Sequence, residues 1–174
     1  MNRRILLQGI ALLPALSLLS APLRAASSGT AKAATPIIAL DKPPQAWREL
    51  LSPEAYGVLF EEDTERSGSS PLDKESRDGT FVCAACYLPL FDSPHKFDSG
   101  TGWPSFTQPI SGHTALRKDF KLFFPRTEYH CARCGGHQGH LFDDGPQPRG
   151  ERWCNNGVAL HFVPRDESLP ALRS

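Results

Sequence analysis

The sequence predicts a small, mainly β domain of antiparallel strands in two packed sheets, with one or two helices at its N-terminal side. Three observations carry this expectation. From Thr80 onward the apolar residues come in short runs cut by Gly, Pro and Asp, the pattern of strands joined by tight turns. Helical spacing is confined to one stretch, Trp47, Leu50 and Leu51 followed by Tyr56, Leu59 and Phe60. No repeat beyond a paired C-x-x-C is present, and no glycine fingerprint opens a βαβ unit.

The chain begins with a short basic head, Met1-Asn2-Arg3-Arg4, then an apolar run from Ile5 to Leu23 and the triplet Arg24-Ala25-Ala26. Basic, apolar, small is the order of a secretory signal peptide. Residues 1–26 are therefore read as a leader, and the product as exported to a periplasm. Pro14, Pro22 and the lack of any acidic residue before Asp41 set this run apart from a core helix. A membrane anchor through residues 5–23 is the alternative, since roughly 20 apolar residues span a bilayer. The adjacent Arg3-Arg4 resembles a twin-arginine signal, which carries a protein out already folded. Residues 27–44 are small, Pro-rich and free of aromatics, and predict a linker. Residues 45–168 are the expected folded domain.

Within that domain, Trp47, Leu50 and Leu51 predict a first helical segment facing the core. Ser52-Pro53-Glu54 predicts a second start, with Ser as N-cap and Pro in the first turn. Thr64 to Gly79 is polar and rich in turn formers, and reads as a surface loop. The strand candidates are Phe81-Val82, Tyr87 to Phe91, Ala115 to Phe124, Tyr129-His130 and Val158 to Val163, with Leu122-Phe123-Phe124 among the most convincing.

Without the leader the chain holds 16 basic and 19 acidic side chains, a formal charge of −3, and no polybasic block. That balance gives no electrostatic basis for nucleic-acid binding. The five cysteines are grouped: Cys83 and Cys86, Cys131 and Cys134, and Cys154 alone. Export favours disulfides, but a disulfide inside C-x-x-C closes a very small ring and constrains the unfolded chain little. Two such pairs instead supply the four thiolates of a tetrahedral zinc site. One structural Zn2+ per chain, on Cys83, Cys86, Cys131 and Cys134, is therefore expected to staple the domain.

Three further segments carry groups that core packing does not require. Phe97 to Phe106 places Trp103 between Gly102 and Pro104, on a turn where its ring can line a pocket. Gly135 to Pro146 sets His137 and His140 in a glycine-rich stretch, read as a loop that brings imidazoles to a ligand. Their position just after Cys131 and Cys134 leaves open a zinc site of one knuckle and both histidines. Glu151 to Asn156 holds Cys154, the one thiol that a four-cysteine zinc site leaves free. A nearby cation favours the nucleophilic thiolate, and in a strand Arg152 points to the same face as Cys154 and Asn156.

These segments, in this order, closely resemble the B-type methionine sulfoxide reductases, from about Trp47 to Pro164. The matching pieces are CAAC, KFDSGTGWPSF, CARCGGHQGHLFDDGP and RWCNNGVALHFVP. The resemblance implies thiol-dependent reduction of methionine R-sulfoxide in oxidised peptides and proteins, and a structural zinc remote from the chemistry. It implies that Trp103 receives the terminal methyl, that His137 and His140 handle the sulfoxide oxygen, with His140 the preferred proton donor, and that Arg152 and Asn156 orient and stabilise Cys154. Cys154 attacks the sulfoxide sulfur and becomes a sulfenic acid.

Many relatives carry a resolving cysteine where this chain has Thr101. With none there, regeneration is expected from an external thiol, a thioredoxin-like protein or a small molecule, acting on a monomer. Trp153, Asn155 and Gly157 replace another aromatic, an aliphatic residue and a serine. The competing reading is a zinc-knuckle module that binds a protein through Trp103, His137 and His140 without redox turnover. A C-x-x-C oxidoreductase is a third reading, but the βαβ surroundings of a thioredoxin-like site are missing.

Overall fold

The computed structural model describes residues 36–120 and 125–174. The leader, residues 27–35 of the linker and the Leu122-Phe123-Phe124 strand candidate lie outside the described residues. Among the described residues, no helix is long and apolar enough to cross a membrane.

A 3₁₀ helix, Pro44–Leu50, comes first, followed by α1, Pro53–Glu61. The Ser52 hydroxyl accepts from the Ala55 amide and Pro53 occupies the first turn, as the sequence predicts. Trp47, Tyr56 and Leu59 are buried, whereas Leu50 lies 44% exposed. The tighter 3₁₀ winding rotates Leu50 out of the expected apolar stripe.

Nine strands follow among the described residues: β1 (Gly79–Cys83), β2 (Pro89–Asp92), β3 (Lys96–Phe97), β4 (Ser105–Phe106), β5 (Thr114–Asp119), β6 (Arg126–Cys131), β7 (His137–Phe142), β8 (Arg152–Asn155) and β9 (Leu160–Pro164). They form two antiparallel sheets, ordered β2-β1-β9 and β3-β4-β8-β7-β6-β5. This is the expected two-sheet domain. Phe91 of the small sheet stacks on Phe106 of the large one at 4.1 Å between ring centroids, and Phe81 meets Phe106 edge-on at 5.0 Å. These aromatic pairs, with Tyr129 and Trp153, form the centre of the core.

Three expectations shift. The second strand starts at Pro89, because Tyr87 turns the chain in the left-handed region at φ 61°. The last strand starts at Leu160, after a 3₁₀ turn over Gly157–Ala159. His137 to Phe142, read as a loop, is strand β7. Its Gly139 is required there: a Cβ would stand 1.9 Å from the Cys154 carbonyl oxygen, so only glycine lets β7 and β8 pair at this point.

Candidate active site and metal centre

The two C-x-x-C segments form matching knuckles. In the first, the Tyr87 amide donates to the Cys83 carbonyl and the Cys83 amide to the Leu88 carbonyl; in the second, Gly135 donates to Cys131 and Cys131 to Gly136, all at 2.8–2.9 Å. The residue after each second cysteine, Tyr87 or Gly135, has positive φ. Each knuckle closes a strand, β1 or β6, so the sheets carry the two pairs together.

Sγ of Cys83 lies 3.6 Å from that of Cys134, Cys86 lies 3.5 Å from Cys131, and all four sulfurs fall within 4.8 Å of one another. Sulfurs at about 2.3 Å from a tetrahedral zinc stand about 3.8 Å apart, so the cluster fits the metal. Hydrogen bonding with Cys131, then with the other thiols, pushes the Cys83 thiol well above its ordinary value. Three buried thiolates and a half-buried one, Cys134, coexist only with a cation among them. Gln138 donates Nε2–H to Cys83 Sγ at 3.5 Å. Both ends of the described chain also reach the knuckles: the Leu40 amide donates to the Arg133 carbonyl and the Arg173 amide to the Cys86 carbonyl. Since both knuckles serve this cluster, the mixed set of one knuckle with His137 and His140 is not formed.

Cys154 sits in β8, whose alternation sends Trp153 and Asn155 into the core and Arg152 and Cys154 to the opposite face. Across the large sheet one register row reads Phe97, Ser105, Cys154, His140, Glu128, Arg117. One step along the same face, Arg152 stands opposite Phe142, and Asp119 opposite Arg126. Trp103, from the bend before β4, closes the site over a cavity of about 130 Å³ that also meets Arg126, His140, Phe142, Cys154 and Asn156. An apolar cavity of about 150 Å³ holds a benzene ring, so this cavity has the size of a side chain.

Burial pushes the Cys154 thiol up, while Arg152 and the hydroxyls of Thr101 and Ser105 pull it down; the balance lies above the ordinary value. Arg152 is held by Asp144 in a two-pronged pair at 2.7 and 2.8 Å, and its guanidinium lies 4.3 Å from the Phe142 ring centroid. His140 Nε2 is 3.1 Å from Asp119 Oδ2, which also accepts from Arg126 at 2.6 Å. His137 is 2% exposed, does not line the cavity and stands behind His140 at 5.5 Å between centroids. Its Nδ1 is 2.6 Å from Glu128 Oε1, and burial pushes its pKa down to about 4.

Asn156 is fixed on both ends of its amide: Nδ2 donates to the Gln138 carbonyl at 3.0 Å, and Oδ1 accepts from the Glu65 amide at 3.1 Å. The Glu65 carboxylate accepts from the Gly157 and Val158 amides at 2.6 and 2.8 Å, and its carbonyl accepts from Trp103 Nε1 at 3.3 Å. One loop residue thereby ties the cavity's tryptophan wall to Asn156. The departures in this segment also have local reasons. A Cβ at Gly157 would stand 2.0 Å from Ser70 Oγ. Asn155 accepts from the Tyr129 hydroxyl at 2.8 Å and donates to Gln138 Oε1 at 3.3 Å.

The structure thus brings Cys154, His140, Asn156 and Trp103 to one cavity, with Arg152 beside Cys154 on the strand and His137 one layer back. Glu65, Asp119, Arg126 and Glu128 escaped the sequence reading. Asp144, already within a recognisable motif, gains a role as the partner of Arg152.

A family model described as the SelR domain matches residues 51–164. Among curated proteins, the peptide methionine sulfoxide reductase MsrB of Bradyrhizobium diazoefficiens is 49% identical over 125 residues, covering 71% of this chain and 90% of that protein. The MsrB of Pseudomonas putida is 48% identical over 128 residues, 73% of this chain and 96% of its own. That of Methanosarcina barkeri is 45% identical over 130 residues, 74% of this chain and 92% of its own. The match spans the knuckles, the tryptophan bend and the Cys154 strand alike, and the chain belongs to the SelR/MsrB family.

Proposed function

We propose that this chain reduces methionine R-sulfoxide in oxidised peptides and proteins, with Cys154 as the nucleophile. The observation that carries the reading is a free, half-buried thiol at a side-chain-sized cavity, beside a guanidinium and opposite an imidazole. Trp103 holds the terminal methyl against its ring, and Arg152 and Asn156 hold and charge-stabilise the site around Cys154. The Cys154 sulfur attacks the sulfoxide sulfur while His140, backed by His137, delivers a proton to the oxygen. Oxygen passes to Cys154, which becomes a sulfenic acid, and the substrate leaves as methionine. When bound at the four knuckle cysteines, zinc supplies structural cross-linking. Turnover of a peptide R-sulfoxide but not its S epimer tests the reading; equal inactivity toward both contradicts it.

Two equivalents of an external thiol return the sulfenic acid to a thiol, releasing water and a disulfide. A thioredoxin-like protein or a small thiol serves, because the other four cysteines are committed to the knuckles. The working unit is the monomer, and no nucleic acid takes part, since a mature charge of −3 without a polybasic block gives it no electrostatic hold. Thr101 stands where a resolving thiol would act, and its hydroxyl is one of the groups that draw the Cys154 thiol down. Thr101→Cys is therefore expected to convert the product of one turnover from a chain about 16 Da heavier to one with an internal disulfide. Intact mass decides: a persistent sulfenic acid in that variant would place position 101 out of reach.

The protein acts after export to a periplasm, with residues 1–26 as leader, 27–44 as linker and 45–168 as the working domain. A twin-arginine route suits a zinc-loaded fold, because metal and folding shield the knuckle thiols before they meet an oxidising compartment. Fusing Met1 to Ser28 to a reporter should give export that stops when Arg3 and Arg4 are both replaced by lysine. Unchanged export would remove this route, and membrane retention would favour an anchor through residues 5–23.

A further inference from the structure

Behind the cavity, the row that holds Cys154 and His140 continues to a buried carboxylate. Glu128 faces His140 across the β6–β7 pair and is only 4% exposed. Its Oε1 lies 2.6 Å from His137 Nδ1, and its Oε2 accepts from Arg117 Nε and Nη2 at 3.2 and 3.1 Å. Arg117 stands on β5, at the edge of the sheet, and pairs in turn with Glu62 after α1. A buried carboxylate that is paired on both oxygens in this way is held in one orientation.

Glu128, His130 and His137 also place three potential ligand atoms within 4.8 Å of one another. A shared metal would hold such atoms about 2.0–2.1 Å from itself and about 3.3 Å from each other. The 2.6 Å separation of Glu128 and His137 is that of a charge-assisted hydrogen bond. Such a bond places the proton of His137 on Nδ1 and fixes the ring that backs His140.

We propose that Glu128 is a positioning residue for the sulfoxide-reducing reaction, setting the tautomer of His137 and, through it, the proton affinity of the His137–His140 pair. The idea rests on the reaction proposed above. Several groups surround the pair. Glu128 and His130 face His137 from β6, with Arg117 and Glu62 beyond Glu128; Asp119 and Arg126 face His140. Burial lowers both histidines, while the Glu128 charge opposes that for His137. Removing the negative charge therefore lowers the proton affinity of the pair. The proton-donating form then disappears at lower pH.

The test is the pH profile of kcat/KM for a peptide R-sulfoxide, using the full zinc-loaded chain and its Glu128→Gln, Glu128→Asp and Glu128→Ala variants. Glu128→Gln keeps an acceptor but loses the charge. It should lose about tenfold in rate and move the alkaline limb down by about one pH unit, while KM stays near wild type. Glu128→Asp should restore the limb in part, and Glu128→Ala should be the most impaired. A uniform loss with an unmoved limb, or no loss, overturns the proposal. Nitrogen NMR of labelled imidazoles in the wild-type chain gives a check independent of any variant's folding: His137 should carry its proton on Nδ1, and a dominant Nε2–H form overturns it. A wild-type chain that reduces neither epimer removes the reaction itself, a result distinct from an unmoved limb in an active enzyme.

Discussion

Replacing Cys154 by serine is expected to lower kcat/KM for a methionine R-sulfoxide peptide by at least ~10⁴-fold, the scale on which hydrolases lose rate when their nucleophile is removed. The serine hydroxyl is nearly the same size but stays protonated near neutral pH and is a far weaker nucleophile than a thiolate. In the native site, burial holds the thiol up and Arg152 offsets part of that, so the reactive form is made where a cation waits beside it. The fold should hardly notice the change. Cys154 is only half-buried and its backbone pairing with Ser105 and His140 is untouched, so stability should move by no more than about 1 kcal/mol. A urea melt beside the activity assay separates the two effects. The binding-module reading predicts the reverse pairing of results, a serine variant with full function.

The second large effect is structural. Cys83→Ser should release the metal and remove more than about 5 kcal/mol of stability. An apparent zinc affinity on the scale of 10–16 kcal/mol is set against a total of about 5–15 kcal/mol for a typical domain. The knuckles join β1 of the small sheet to β6 of the large one, and the Leu40 and Arg173 amides strap both ends of the described chain onto them. Losing the metal leaves buried sulfurs crowded without a counter-charge at the point where the sheets meet. Metal content and a thermal melt measured together check this. A variant that binds no zinc yet melts with the wild type would show that the aromatic core holds the sheets unaided.

Much of this arrangement was legible in the residues themselves. Ser52-Pro53 marks the start of α1 because capping chemistry is local, and the knuckle spacing marks the metal centre because four thiols admit few other uses. Cys154 stood out once the other four were assigned. Strand β7 was hidden for a physical reason: Gly139 looks like loop punctuation, yet it is present because the β8 backbone approaches too closely for any side chain. Strands β3 and β4 have two residues each and fall below any periodic signal. Tyr87 looks like a strand aromatic but turns the first knuckle, as Gly135 turns the second. Glu65 and Glu128 were invisible as site residues because their partners lie far along the chain or across strands, at Gly157, Val158 and Trp103 for one, and at His137 and Arg117 for the other. Composition and spacing report what a residue is; only register reports what it faces.

The most direct measurement is a single turnover of zinc-loaded protein with a peptide containing methionine R-sulfoxide, followed by intact mass. The predicted result is one methionine formed per chain and about 16 Da added at Cys154, with the four knuckle cysteines unchanged. No methionine from either epimer would contradict the central claim, and an internal disulfide drawn from a knuckle cysteine would contradict the one-thiol mechanism.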